Sequence, residues 1–273
     1  MRRIDRYERQ KHLKNIIGCV LMALFVFGGV VVFLRKKQVD SRAAGLDKDN
    51  FCPRVGILSV TALVIDNTDA LSPIQKASLR GQLEGVVNSV SQNGRLDIYV
   101  VESSRNGLLK PLFSMCSPGR KEEVSEWTSN PERVGKRWRD KFYDPAIAKI
   151  EASLDLTKRD SSPIMETIQS VSISSFQDNR MSDSAQRRLV IASDMMEYGP
   201  DLNLYKGVPP VREFVKSENF RKLRGDLRRV QVSIMLFRRE TAAHIQREEF
   251  IEFWAAVLTQ QGAQDVISKP VVG

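Results

Sequence analysis

Residues 56–73 read Gly-Ile-Leu-Ser-Val-Thr-Ala-Leu-Val-Ile-Asp-Asn-Thr-Asp-Ala-Leu-Ser-Pro. The first ten are apolar, β-branched or small, and Asp66 closes the run. A strand that is apolar at nearly every position is buried on both faces, as in a parallel sheet covered by helices. Ser72-Pro73 then opens a helix, because Ser is a favoured N-cap and Pro suits the first helical position. Ile74, Leu79, Leu83, Val86 and Val90 follow at helical spacing, which predicts a helix to about residue 90.

Downstream the alternation continues. Residues 96–102 (LDIYVVE) form a second expected strand, and 109–116 (LKPLFSMC) a third, with Pro111 suited to an edge. The short Arg105-Asn106-Gly107 turn between them predicts an antiparallel hairpin. A polar connection over 117–132 leads to an expected helix over 133–154, anchored by Trp138, Phe142 and Ile147. Ser162-Pro163 repeats the helix opening, with the helix running to about residue 171. Residues 188–194 (RLVIASD) are another apolar strand ending in an acid. A basic amphipathic helix is expected over 211–227, a strand over 230–237, a helix over 247–261 and a short strand over 266–272. The fold class is therefore α/β: a doubly wound, mostly parallel, three-layer sheet of Rossmann type over residues 53–273. Ligands of such sheets bind outside the carboxyl ends of the strands, where the strand order reverses.

Upstream the composition changes. The chain has 273 residues and a formal charge of +9. Residues 1–37 hold nine basic and two acidic side chains, so +7 of that charge lies there and +2 is left for the other 236 residues. Between the basic clusters, residues 16–34 carry no charge and are almost wholly apolar. About 20 such residues cross the hydrocarbon core of a bilayer, so residues 15–37 read as a transmembrane helix with a basic flank. Residues 1–14 are a basic tail and 38–52 a polar linker. The six Lys and Arg of the tail nearly balance five after the span, Arg35, Lys36, Lys37, Arg42 and Lys48. The positive-inside rule separates these counts only narrowly. The short, cationic tail resists transfer outward, which favours a cytoplasmic N-terminus and a periplasmic main domain on a bacterial inner membrane. Cys52 and Cys116 stand at strand ends and suit either a disulfide in an oxidising compartment or two separate buried thiols.

Two of the apolar strands end in Asp66 and Asp194, with Ser162-Pro163 at a helix start between them. This arrangement resembles the von Willebrand factor A family. That family carries Asp-x-Ser-x-Ser after its first strand, a Thr in a middle loop and an Asp after its fourth strand, which together make a metal-ion-dependent adhesion site. The resemblance implies metal ligation by Asp66, Thr68, Ser162 and Asp194, with Mg²⁺ as the ion, since Mg²⁺ takes hard oxygens in octahedral geometry. The family's second Ser falls at Ala70, which has no side-chain oxygen. The element order β-α-β-β-α-α-β-α-β-α-β also agrees with the family. It implies a membrane-anchored protein-interaction module whose top loops meet a protein partner; bacterial examples often belong to envelope or mobile-element assemblies.

Enzyme signatures are sparse. Thr68 stands where a haloacid-dehalogenase-type phosphotransferase needs its second Asp, and there is no Gly-x-Ser-x-Gly elbow or P-loop. A membrane-tethered hydrolase using the same acidic loops is the competing reading, and a metal-free scaffold a third. Arg221, Lys222, Arg224, Arg228, Arg229, Arg238 and Arg239 cluster late in the chain. Glu213, Glu218 and Asp226 dilute them, so they read as a solvated face rather than a nucleic-acid surface.

Overall fold

The computed structural model describes residues 22, 27–31, 45–47, 49–54, 56–68, 70–103, 107–124, 130–154 and 160–271. The chain divides into two units, Met1–Leu46 and Asp47–Gly273. In the first, residues 22 and 27–31 are helical, and Met22, Phe27, Val30 and Val31 are exposed. Among the described residues no helix is long and apolar enough to cross a membrane. The expected tail and most of the expected span, residues 15–37, lie outside the described residues.

The second unit is built on strands β1 (Ile57–Ile65), β2 (Arg95–Val100), β3 (Phe113–Cys116), β4 (Met181–Ser193), β5 (Val230–Phe237) and β6 (Asp265–Val271). They form one sheet in the order β3-β2-β1-β4-β5-β6. β3 runs antiparallel to β2, and every other pair is parallel. The chain winds from β1 towards one edge, then returns to β4 on the other side. The strand order therefore reverses between β1 and β4, and the crevice at their carboxyl ends is the switch point.

Helices cover both faces. They are α1 (Pro73–Asn88), α2 (Pro131–Trp138), α3 (Asp144–Leu154), α4 (Ile164–Phe176), α5 (Val211–Phe214), α6 (Glu218–Leu223) and α7 (Glu248–Gln260). One face packs Val60, Ala62 and Val64 of β1 with Leu189 and Ile191 of β4 against α4 to α7. The other packs Leu63 and Ile65 with Val190 and Ala192 against α1 to α3. The strict alternation follows from the period of two along a strand. It explains why residues 60–65 are all buried.

The local signals at α1 act as expected. Ser72 Oγ accepts from Gln75 N at 3.1 Å, and Ser72 N donates to Gln75 Oε1 at 3.2 Å, a reciprocal capping box. Four other expectations need correction. The β2–β3 pair is antiparallel, but 12 residues separate the strands, so the connection is no tight turn. The single helix expected over 211–227 is two short ones, because Ser217 Oγ accepts from Phe220 N and starts a new helix. The helix expected over 133–154 passes through a wide turn at Arg139–Tyr143 that links α2 to α3, with Trp138 and Phe142 buried on either side of its start. Ser162 does not cap α4, as described below.

Cys52 and Cys116 are joined in a disulfide with Cα atoms 4.8 Å apart. Cys116 N also donates to Asn50 O at 2.8 Å. The segment entering β1 is thus fastened to the edge strand β3, and it packs as part of the unit that begins at Asp47.

Candidate functional site: a carboxylate pair at the switch point

Asp66 immediately follows β1 and Asp194 immediately follows β4, so adjacent parallel strands deliver both to the crevice. Asp66 N donates to Ala192 O at 2.8 Å, which fixes the register of the pair. Both carboxyls are buried, at 4% and 2% exposure. Buried acids need partners, and each has its own set.

Asp66 is held by hydroxyls. Its Oδ1 accepts from Thr68 N at 3.1 Å and Thr68 Oγ1 at 2.7 Å. Its Oδ2 accepts from Ser193 Oγ at 2.6 Å and Ser162 Oγ at 3.3 Å. The structure therefore brings Asp66, Thr68 and Ser162 together. Ser193 joins them from the last position of β4, a contact not anticipated from sequence. Ser162 is drawn to Asp66, which leaves the N-terminus of α4 to another group. Glu197, buried at 2% exposure, supplies it, with Oε2 accepting from Met165 N at 2.8 Å.

Asp194 faces a cation. Its Oδ1 accepts from Met196 N at 2.9 Å, and its Oδ2 accepts from Arg239 Nε at 3.0 Å. Arg239 Nη1 reaches on to Ala70 O at 2.7 Å. Gln246, wholly buried, ties the ends of β4 and β5: Nε2 donates to Asp194 O and Phe237 O, each at 2.9 Å, and Oε1 accepts from Arg239 N at 2.8 Å. The next residue, Met195, takes a left-handed φ of 59°. Such a conformation is costly for a side chain bearing a Cβ. It is held by Ser193 Oγ on Met195 N at 2.7 Å and by Trp254 Nε1 on Met195 O at 3.0 Å.

By sequence Arg239 groups with the late basic cluster. The structure separates it: Lys222 pairs with Asp201 and Arg228 with Asp226, whereas Arg239 enters the crevice. The available signal was its position, two residues past a strand end where two other strands place acids. For Glu197 there was no signal, since capping a helix that begins at residue 164 depends on tertiary placement.

The gathered residues fit a divalent ion on one side only. Thr68 and Ser162 give their protons to Asp66, which leaves hydroxyl lone pairs free to face a cation. On the other side Asp194 is already neutralised by a guanidinium, and position 70 offers only a carbonyl, which Arg239 occupies. As they stand these side chains do not fit a hydrated Mg²⁺ ion. Among the described residues, no group of three or more His, Cys, Asp or Glu side chains is disposed to hold a metal. A groove of about 560 Å³, lined by Gln169, Ser172, Arg224, Asp226, Arg228 and Gln261, lies towards the far end of α4 and apart from the carboxylates.

Burial, followed by the charge of Asp66, pushes the Asp194 carboxyl up to about 6, against the pull of Met196 N–H and Arg239. Burial above all pushes Glu197 well above the usual glutamate range. The protonated form is the one the fold favours for Glu197. Its stabilising contribution is complete below the ordinary glutamate pKa and is lost as pH rises through the raised folded value. Asp194 acts with the same sign between its ordinary 3.8 and about 6. Glu197→Gln keeps an acceptor for Met165 N and removes the ionisation. Its melting temperature should exceed that of the wild type at about pH 8, with the gap closing near pH 5. A gap of equal size at both pH values would mean that folding does not raise the Glu197 pKa.

No family model and no curated protein matches the chain. Among solved structures it is similar to a conserved hypothetical protein, BatB, from Bacteroides thetaiotaomicron, with 11% identity over 78% of this chain and 91% of that one and a TM-score of 0.35. An aerotolerance-related membrane protein from Bacteroides fragilis, carrying multiple mutations to serine, matches at 10% identity over 77% and 91%, TM-score 0.34. The manganese-loaded TRAP protein of Plasmodium vivax matches at 12% identity over 66% and 57%, TM-score 0.32. Scores this low leave the function to be read from this chain's own residues.

Proposed function

We propose that the chain is a single-pass membrane protein that displays a von Willebrand A-like domain on the outer side of the membrane. The domain binds a protein partner, as a component of a bacterial envelope assembly, through the loops at the carboxyl end of its sheet. The observation that carries this reading is a set of exposed apolar and aromatic side chains on the segments that follow β1 and β4, next to the buried carboxylates. Ile74, in the first turn of α1, is 69% exposed, and Tyr198 and Tyr205, beyond β4, are 46% and 50% exposed. The two tyrosine rings stack edge to face at 6.0 Å. Tyr198 is held beside the site by Ser162 N, which donates to its carbonyl at 3.0 Å. Aromatic side chains that are rigid, amphipathic and accessible are enriched at protein interfaces. The carboxylates beneath them hold the loops in shape, and no catalytic step is assigned to them. The Cys52–Cys116 disulfide supports an oxidising compartment for the domain.

The test is crosslinking of the full chain in its native membrane. Tyr198→Ala with Tyr205→Ala, and separately Ile74→Ser, should cut the yield of the partner adduct about tenfold or more without changing the melting temperature. An unchanged yield in both variants sinks the reading.

A further inference from the structure

We propose that the guanidinium of Arg239 permanently takes the place of a divalent cation at the switch point, so that the site works without metal. Two buried carboxyls at the ends of adjacent strands call for a positive charge. Set against the family's oxygen ligands, this chain withholds two from a cation: the distal acid Asp194, already paired with Arg239, and the second hydroxyl, replaced by Ala70. Arg239 spans those two points: Nε lies 3.0 Å from Asp194 Oδ2, and Nη1 lies 2.7 Å from Ala70 O. Its side chain is 16% exposed and that of Asp194 is 3% exposed, so the pair is shielded from solvent screening. Its backbone is fixed by Gln246, which makes the guanidinium a built part of the crevice rather than a surface cation that swings in. An ion seated on Asp66, Thr68 and Ser162 while reaching Asp194 would stand next to a like charge in a medium of low dielectric, where repulsion is strong. Ala70 is consistent with this, since a hydroxyl there has no cation to serve.

Arg239, not the missing hydroxyl alone, is the group that excludes metal. The full chain in detergent micelles is titrated with Mn²⁺, and bound ion is read from loss of the free Mn²⁺ spin-resonance signal. Wild type and Ala70→Ser should bind no ion at millimolar Mn²⁺. The double variant Ala70→Ser with Arg239→Gln should bind one ion per chain, at least about tenfold more tightly than the wild type. Folding is checked by circular dichroism. Should the glutamine variant not fold, Arg239→Met retains the apolar stem and carries the same expectation. Three results overturn the proposal: a wild type that binds one Mn²⁺ and loses it on Asp66→Ala, an Ala70→Ser variant that binds as tightly as the double variant, or a folded double variant that does not bind. Mn²⁺ binding is read with no partner present, so its outcome is separate from that of the crosslinking experiment.

Discussion

Alanine at position 97 is expected to destabilise the Asp47–Gly273 unit by about 3–5 kcal/mol, the cost of stranding a buried charge. Asp97 sits in the middle of β2 at 2% exposure and Arg95, on the same face, at 3%. Asp97 Oδ2 accepts from Arg95 Nε at 2.9 Å and from Ser175 Oγ at 2.8 Å, and Oδ1 accepts from Ser114 Oγ at 2.6 Å. Because the Ser175 proton goes to Asp97, the 2.9 Å contact between Ser175 Oγ and Tyr99 Oη has the tyrosine as donor. Arg95 Nη2 donates to Ser175 O at 2.8 Å, and Nη1 pairs with Asp178. The network bolts the last turn of α4 to the sheet, as Glu197 bolts its first turn. Losing Asp97 leaves the guanidinium with half its negative partners and takes an acceptor from both Ser175 and Ser114. Urea unfolding measures the loss. Arg95→Met together with Asp97→Leu should recover much of it, since removing both members of a buried pair is far cheaper than removing one. A cost below about 1 kcal/mol for Asp97→Ala would mean that water reaches Arg95 in the variant. The same substitution removes the charge of Asp97, which together with burial, the larger cause, pushes Tyr99 up to about 12. An ultraviolet titration should therefore show that tyrosine moving back towards its ordinary value.

Opening the Cys52–Cys116 bond should cost about 4 kcal/mol, from the chain entropy released when a loop closed over 64 residues is freed in the unfolded state. The bond does local work as well. Both cysteines are buried, and the bond joins the lead-in to β1 to β3, which ends the strand order. Cys52→Ala with Cys116→Ala should lower the urea midpoint accordingly, and dithiothreitol should do the same to the wild type. The variant should no longer respond to the reductant. Non-reducing mass spectrometry of the full chain taken from membranes should recover the linked peptides if the domain faces an oxidising compartment. Recovery of both cysteines as free thiols would count against a periplasmic domain.

Much of the architecture was legible along the chain. The apolar runs at 57–65 and 230–237, the Ser72-Pro73 opening of α1 and the spacing of Leu79, Leu83 and Val86 are local signals, and the elements appear where they point. Local signals failed where competing local choices were nearly equal. Residues 211–227 carry helical spacing throughout, yet Ser217 offers an N-cap and the chain restarts there. Of the crevice, sequence placed Asp66, Thr68, Ser162 and Asp194 at strand and helix ends, because strand termini follow from hydropathy. Which side chains meet these residues was decided by strand order and register alone. Arg239 reaches Ala70 across 169 positions of sequence, and Ser193 reaches Asp66 across 127. No periodicity encodes such distances. The elements follow from the chain read locally, because caps and hydrophobic periods act within a few residues. That a guanidinium, rather than an open set of oxygens, faces Asp194 depends on β5 lying beside β4 and sending the chain back over the crevice.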